Sequence, residues 1–257
     1  MSIPKRLFPL LAILALSPSL PAQDQPDPAE PIPAWMQAFE NLPREQKETY
    51  GKAITEGGRL FNQKRIFEAL NAVYEAEEIF KQNPAALNLK GACYVEFRDF
   101  PRARACFDEA LTLSPKNPSV LFNLVEMDFV TRMWKDCQRR INELTPLVDP
   151  RNIPMLRLLE FKLLLTYLKT NEVKEARALA AKYDFLDDNP YYYYANAAMM
   201  FHAENPEEAE AWIARARRVF QSDATLAPWQ DTLIEYGYIK SFYGEDLNPE
   251  AAAPPQP

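Results

Sequence analysis

Few residues in this sequence could organise a reaction. The single histidine, His202, would have to serve any Ser-His-Asp or Cys-His arrangement, and it stands near the end of a tyrosine-rich stretch beside Glu204. A nucleophile, a base and an orienting group must converge for such chemistry. His202 therefore reads as a surface or groove-lining side chain. The three cysteines, Cys93, Cys106 and Cys137, form no C-x-x-C, and zinc needs a cluster of Cys or His. Their odd number leaves at least one thiol unpaired or bridging between chains. They read as small buried hydrophobes, with a Cys93–Cys106 disulfide as the alternative. Gly57-Gly58 lacks the G-x-x-x-x-G-K pattern of a phosphate-binding loop. The carboxylate pairs Glu77-Glu78, Asp187-Asp188 and Glu207-Glu208 read as solvated faces or helix-start charges. No catalytic residue, metal site or cofactor is expected, and the chain is read as a non-enzyme.

The composition sets the class. The chain has 257 residues, 47% apolar and 25% charged, with a net charge of −7, which is enough for one sizeable core. No Lys/Arg stripe dominates any stretch, which argues against nucleic acid as a partner. Glycine is scarce, and thirteen of the twenty-three prolines fall in residues 1–43 and 249–257, marking two tails around a helix-friendly body. Lys5 and Arg6 followed by Leu7–Leu16 (LFPLLAILAL) resemble a secretory signal peptide, with an apolar run too short to span a bilayer. Cleavage is placed after Ala22; the alternative is an uncleaved N-terminal anchor. The expected location is the periplasm or cell surface of a bacterium, with no membrane insertion after cleavage. Residues 23–33 (QDQPDPAEPIP) read as a proline-rich linker. Residues 34–42 read as a short helix sharing Trp35, Met36 and Phe39 on one face. That helix either caps the central body or docks a partner.

The elements come from an internal repeat. At an offset of 34, Gly57 falls on Gly91 and then Val125, Ile66 on Phe100 and Trp134, and Ala69 on Ala103 and Cys137. Val73 falls on Phe107 and Ile141, and Ala76 on Ala110 and Leu144. Small residues meet small ones and bulky meet bulky. The register then slips: Cys137 to Ala176 spans 39 residues and Ala176 to Ala209 spans 33. Asn-Pro recurs at Asn83-Pro84, Asn117-Pro118 and Asn189-Pro190, where first helices should begin, because Asn caps free N–H groups and Pro fits the first turn. Asp99-Phe100-Pro101 and Asn205-Pro206 do the same for second helices. The apolar spacing between these signals is helical, and no alternating β-branched run occurs.

Residues 84–117, with Leu87, Gly91, Tyr94, Ala103, Phe107, Ala110 and Pro115, resemble the tetratricopeptide-repeat (TPR) family and its W-x2-L-G-x2-Y…A-x3-F…P pattern. Leu87 replaces the Trp and Lys90 stands where Leu is usual; the other units are degenerate. The resemblance implies an all-α fold, a right-handed α-solenoid of about five helix–turn–helix units plus a C-terminal capping helix. The expected divisions are a signal peptide at 1–22, linker and short helix at 23–49, and repeats at 50–83, 84–117, 118–151, 157–189 and 190–222. Beyond the repeats, a polar-faced capping helix is expected at 228–243 and a disordered tail at 244–257. Gly57, Ala69, Gly91, Tyr94, Ala103, Phe107, Ala110, Pro115, Ala176, Ala197 and Ala209 are the expected repeat-packing residues.

The same resemblance implies a concave groove lined by the first helix of each pair. The groove positions are Phe61, Asn88, Val95, Phe122, Glu126, Phe129, Phe161, Leu168, Tyr194, Phe201 and His202. Phe122, Phe129, Phe161, Tyr194 and Phe201 would form an exposed aromatic wall, and exposed rings of that extent mark an interface. The alternative is a helical phase one residue off, which would make these rings core. The wall implies a protein or peptide partner, an amphipathic helix or apolar segment rather than an acidic tail. The chain is thus expected to scaffold a polypeptide partner, with a homo-oligomeric structural component of an envelope or secretion assembly as the alternative.

Overall fold

The structure, a computed structural model, describes residues 32–239. The expected signal peptide, residues 23–31 of the linker, residues 240–243 and the 244–257 tail lie outside them. Twelve α-helices and one short 3-10 turn (Thr145–Leu147) make up the described residues, which contain no strand. The architecture is an all-α, TPR-like α-solenoid of paired helices with a C-terminal helix after the fifth pair. The chain divides into two compact units, one through Met127 and one from Asp128.

The first unit holds α1 (Ala34–Glu40), α2 (Arg44–Asn62), α3 (Ile66–Glu77), α4 (Pro84–Glu96), α5 (Phe100–Leu113) and most of α6 (Pro118–Val130). The pairs α2/α3 and α4/α5 form helical hairpins, and α3 packs on α4. Asn83 Oδ1 accepts from the N–H groups of Ala85 and Ala86, and Asn117 Oδ1 from those of Ser119 and Val120, so both asparagines cap free donors of the helices they precede. Gly91 brings α4 and α5 together, since a Cβ there would lie 2.5 Å from the ring of the fully buried Phe107. Ala69, Ala103 and Ala110 are fully buried, Tyr94 is buried, and Pro115 is in the turn after α5. Helix α1 covers the start of this unit. Phe39 meets Tyr50 and Phe80 edge to face at 5.0 and 5.4 Å, and the Trp35 indole donates to the Leu113 carbonyl at the end of α5 (3.0 Å).

The second unit holds the end of α6, then α7 (Trp134–Leu144), α8 (Ile153–Lys169), α9 (Val173–Ala180), α10 (Tyr191–His202), α11 (Pro206–Val219) and α12 (Asp223–Tyr236). A buried ion pair, Arg140 Nε to Asp128 Oδ2 at 2.8 Å, ties α7 to the end of α6. α8 pairs with α9 and α10 with α11. Ala176, Ala197 and Ala209 are fully buried.

The turn inside each pair follows one rule. Lys64, Arg98, Arg132, Asn171 and Glu204 all have φ between 57° and 62°. The next N–H reaches back five residues each time: Arg65 to Leu60, Asp99 to Tyr94, Met133 to Asp128, Glu172 to Tyr167 and Asn205 to Met200, at 2.8–3.0 Å. That is the Schellman ending, which satisfies carbonyls left open at a helix C-terminus. These left-handed residues recur at intervals of 34, 34, 39 and 33. The backbone thus carries the same register, with the same slip, as the side-chain sizes.

Candidate functional site

The second unit concentrates aromatic side chains around α8. This helix has buried residues on nearly every side, including Leu159, Phe161, Lys162, Leu164, Leu165 and Leu168, the pattern of a helix covered all round. One side meets α7, α9 and α10. Another is covered by α12, which packs against α8 and α10.

Helix α12 carries Leu226, Trp229, Leu233 and Tyr236 at steps of three, four and three, all buried. That spacing forms a single narrow stripe. Trp229 lies 5.3 Å from Phe161, 5.8 Å from Tyr194 and 6.3 Å from Tyr191, centroid to centroid. Tyr236 lies 6.2 Å from Phe129 and 5.9 Å from Trp134. Beyond it Gly237 adopts φ +91°, a left-handed turn that suits glycine. The chain comes back so that Tyr238 stacks on Phe201 at 5.1 Å.

Two lysines mark the polar side of this interface. Lys162 is 2% exposed; its Nζ lies 4.3 Å over the Phe129 ring and 3.6 Å from Glu235 Oε2 on α12. Lys169 Nζ sits 4.3 Å over the Tyr236 ring, and burial, with Arg132 nearby, holds its ammonium below the usual lysine range. Burial raises the Asp231 carboxyl on α12 above its ordinary value, and the Lys162 charge opposes that rise.

The expected groove residues are therefore distributed as follows. Phe129, Phe161, Tyr194 and Phe201 meet the α12 segment, Leu168 is buried on the same helix as Phe161, and His202 is half-buried at the end of α10. Phe61, Asn88, Val95, Phe122 and Glu126 belong to the first unit. Phe61, Val95, Phe122 and Glu126 are buried, while Asn88 Oδ1 accepts from Asn123 Nδ2 at 2.9 Å. The aromatic wall expected to be exposed is not: Phe129, Phe161 and Tyr194 are fully buried and Phe122 nearly so. In the second unit the reason is α12. The capping helix expected over 228–243 with a polar outer face begins at Asp223, ends at Tyr236 and turns an aromatic stripe inward. Trp229, Leu233, Tyr236 and Lys162 were not expected at the site, although the stripe's spacing is visible in the sequence.

Nothing else in the described residues gathers for chemistry. No group of three or more His, Cys, Asp or Glu there could hold a metal ion. All three cysteines are free thiols. Burial, with Glu96 and Cys106 nearby, pushes the Cys93 thiol up to about 12; burial pushes Cys106 up to about 11, so neither supplies a thiolate nucleophile near neutrality. No described helix is long and apolar enough to cross a membrane.

No family model and no curated sequence matches the chain. Its fold is similar to that of several solved structures, among them the following three. Pseudomonas aeruginosa pilF aligns over 75% of this chain and 97% of its own, with 16% identity and a TM-score of 0.54. YrrB, described as a TPR protein with an unusual peptide-binding site, aligns over 76% and 95%, with 20% identity and a TM-score of 0.52. TTC0263, a TPR protein of Thermus thermophilus, aligns over 72% and 99%, with 19% identity and a TM-score of 0.51. Together with the five helix pairs and their recurring turns, these likenesses establish that the chain has a TPR-like fold.

Proposed function

We propose that this chain is a non-enzymatic protein-interaction scaffold that acts as a structural component of an exported envelope or secretion assembly, joining copies of itself or other polypeptides. The observation that carries this reading is the occupied aromatic face. With α12 seated on α8 and α10, that face is occupied in this structure, and on this reading partners meet other surfaces. Exposed apolar side chains offer such surfaces, notably Phe67, 75% exposed and 4.6 Å from the Phe97 ring, and Leu186, 74% exposed. Stacked helix pairs expose long faces suited to polypeptide partners, and YrrB, of similar fold, is described as having a peptide-binding site. Export rests on the Lys5/Arg6 and Leu7–Leu16 pattern, outside the described residues.

The test is expression in a bacterial host, fractionation of the envelope, crosslinking and sedimentation of the mature chain. The reading expects an exported chain in a crosslinked assembly that Phe67→Ser weakens. A chain retained in the cytoplasm, or one that stays a strict monomer with no crosslinked protein, overturns it.

A second reading has its own support. The α8/α10 face holds a helix in this structure, so it is suited to hold a polypeptide segment whenever α12 is away.

A further inference from the structure

We propose that the edge of the second unit around the start of α10 is a self-complementary surface on which two copies of this chain pair about a two-fold axis. The inference rests on the scaffold reading and names the surface that joins the copies. Two limbs of chain meet at this edge. Residues 181–190 lead from α9 into α10, and Tyr183 touches Tyr191 edge to face at 5.1 Å. The end of α11 lies beside the same start, where Phe220 meets Tyr193 at 6.1 Å. Each limb exposes apolar surface beside charges of one sign. On the first, Phe185 and Leu186 are 63% and 74% exposed, and Asp184, Asp187 and Asp188 flank them. On the second, Val219 is 54% exposed and follows Arg217 and Arg218. Asp184 accepts from the Leu186 N–H, and Asp187 is held by Arg157 at 2.8 Å. Asp188 and Arg218 are both exposed, and among the described residues neither has a hydrogen bond or an ion pair.

The acidic limb also borders an open pocket of about 470 Å³, with Ile153, Pro154 and Leu186 as apolar walls and Arg157, Asp187 and Asp188 as polar ones. In the first unit the chain covers the equivalent place itself. The turn residues Lys64 and Asn171 stand 107 residues apart, and the same step carries Tyr50 to Arg157 and Phe80 to Asp187. Both pairs touch, Tyr50 with Phe80 as rings 6.5 Å apart and Arg157 with Asp187 as an ion pair. Phe39 of α1 closes over the first pair, whereas the second opens on the pocket. An occupant must therefore bring an apolar side chain to Ile153 and Leu186 and a cation to Asp188. Val219 and Arg218 of a second copy supply both. Because the two limbs share one edge, a two-fold axis lets each copy offer its basic limb to the other's acidic limb, so the contact forms twice. Pairing like limbs would set aspartate against aspartate or arginine against arginine, which fixes the register.

The experiment is sedimentation equilibrium of the purified chain over a range of concentrations, with circular dichroism to check that each variant is folded. The unaltered chain is expected to dimerise. Asp188→Lys and Arg218→Glu each place like charges together twice in the dimer, and each is expected to weaken it at least about ten-fold. The chain carrying both changes is expected to regain the dimer. Mixing the two singly altered chains is expected to give a heterodimer tighter than either variant alone, because a two-fold contact then restores both pairs. If either charge variant does not fold, Leu186→Ser, which alters one exposed side chain, is expected to weaken the dimer about ten-fold. A chain that stays monomeric, a dimer that no folded variant weakens, or reversals that neither the double change nor mixing repairs overturns the proposal. Each of these results leaves the scaffold reading in place, which falls only to the fractionation and crosslinking outcomes given for it.

Discussion

Replacing Gly91 with alanine tests the close approach of α4 and α5. A Cβ at this position would lie 2.5, 2.7 and 2.9 Å from three ring atoms of Phe107. Ordinary contact begins at 3.4 Å, so the ring must withdraw by about 0.9 Å. Phe107 is fully buried, and a close-packed interior leaves it little room to move. Overpacking of this kind costs ~1–3 kcal/mol. Alanine recovers ~1 kcal/mol over glycine in a helix interior. The balance is an expected loss of up to ~2 kcal/mol, read by urea unfolding followed by circular dichroism. Gly58 is the control: a Cβ there meets nothing within 4 Å, so Gly58→Ala should gain ~0.5–1 kcal/mol. Adding Phe107→Leu to Gly91→Ala should recover part of the loss, a coupling that independent sites lack. If Gly91→Ala proves as stable as Gly58→Ala, the helices do not approach as described.

Three further outcomes are expected. Glu204 is an exposed non-glycine residue at φ 57°, so Glu204→Gly should stabilise the chain by ~0.5–1 kcal/mol, while Asn171→Gly should change it less, because asparagine already tolerates that region; a loss on Glu204→Gly in urea unfolding would contradict the turn geometry. Asp128→Ala breaks the buried pair with Arg140 and should cost ~3–5 kcal/mol by the same assay, against under ~0.5 kcal/mol for a surface change. Hydrogen bonds from Lys135, Thr170 and Gln138 hold the Glu172 carboxyl down at about 2 from 4.5. A lowered carboxylate pKa stabilises the fold above the ordinary value, and this contribution disappears as pH falls through the folded one. The melting advantage of the unaltered chain over Glu172→Gln should therefore be full at about pH 6 and shrink below pH 4.5; an advantage constant with pH would refute the assignment.

Much of the fold was legible because packing and turn geometry obey one period. The spacing between Ala69, Ala103, Cys137, Ala176 and Ala209 is the spacing between the five left-handed turn residues. The Asn-Pro signals mark first-helix starts because an asparagine side chain is the chemical answer to free N–H groups there. The turns themselves were hidden, since Lys64, Arg98, Arg132 and Glu204 occupy positions where glycine would have been the signal. The aromatic face was legible only in part. Phe161 and Tyr194 sit where a groove should be, yet a ring facing a groove and a ring facing a core have the same sequence signature when the groove is filled. The stripe on α12 was present, but amphipathicity gives a helix a buried side without naming what covers it. Pro228 added to the difficulty, because a proline inside a helix reads as its beginning.

The claim on which the account turns is that α12 lies across α8 and α10. Proton NOE spectroscopy on the full chain, with only tryptophan, phenylalanine and tyrosine rings left protonated, measures this directly. The account predicts cross-peaks from the Trp229 indole to the rings of Phe161 and Tyr194, whose centroids lie 5.3 and 5.8 Å away, and from Tyr238 to Phe201 at 5.1 Å. A Trp229 indole with no cross-peak to either ring, in a chain whose Phe161–Tyr194 contact is intact, would contradict it.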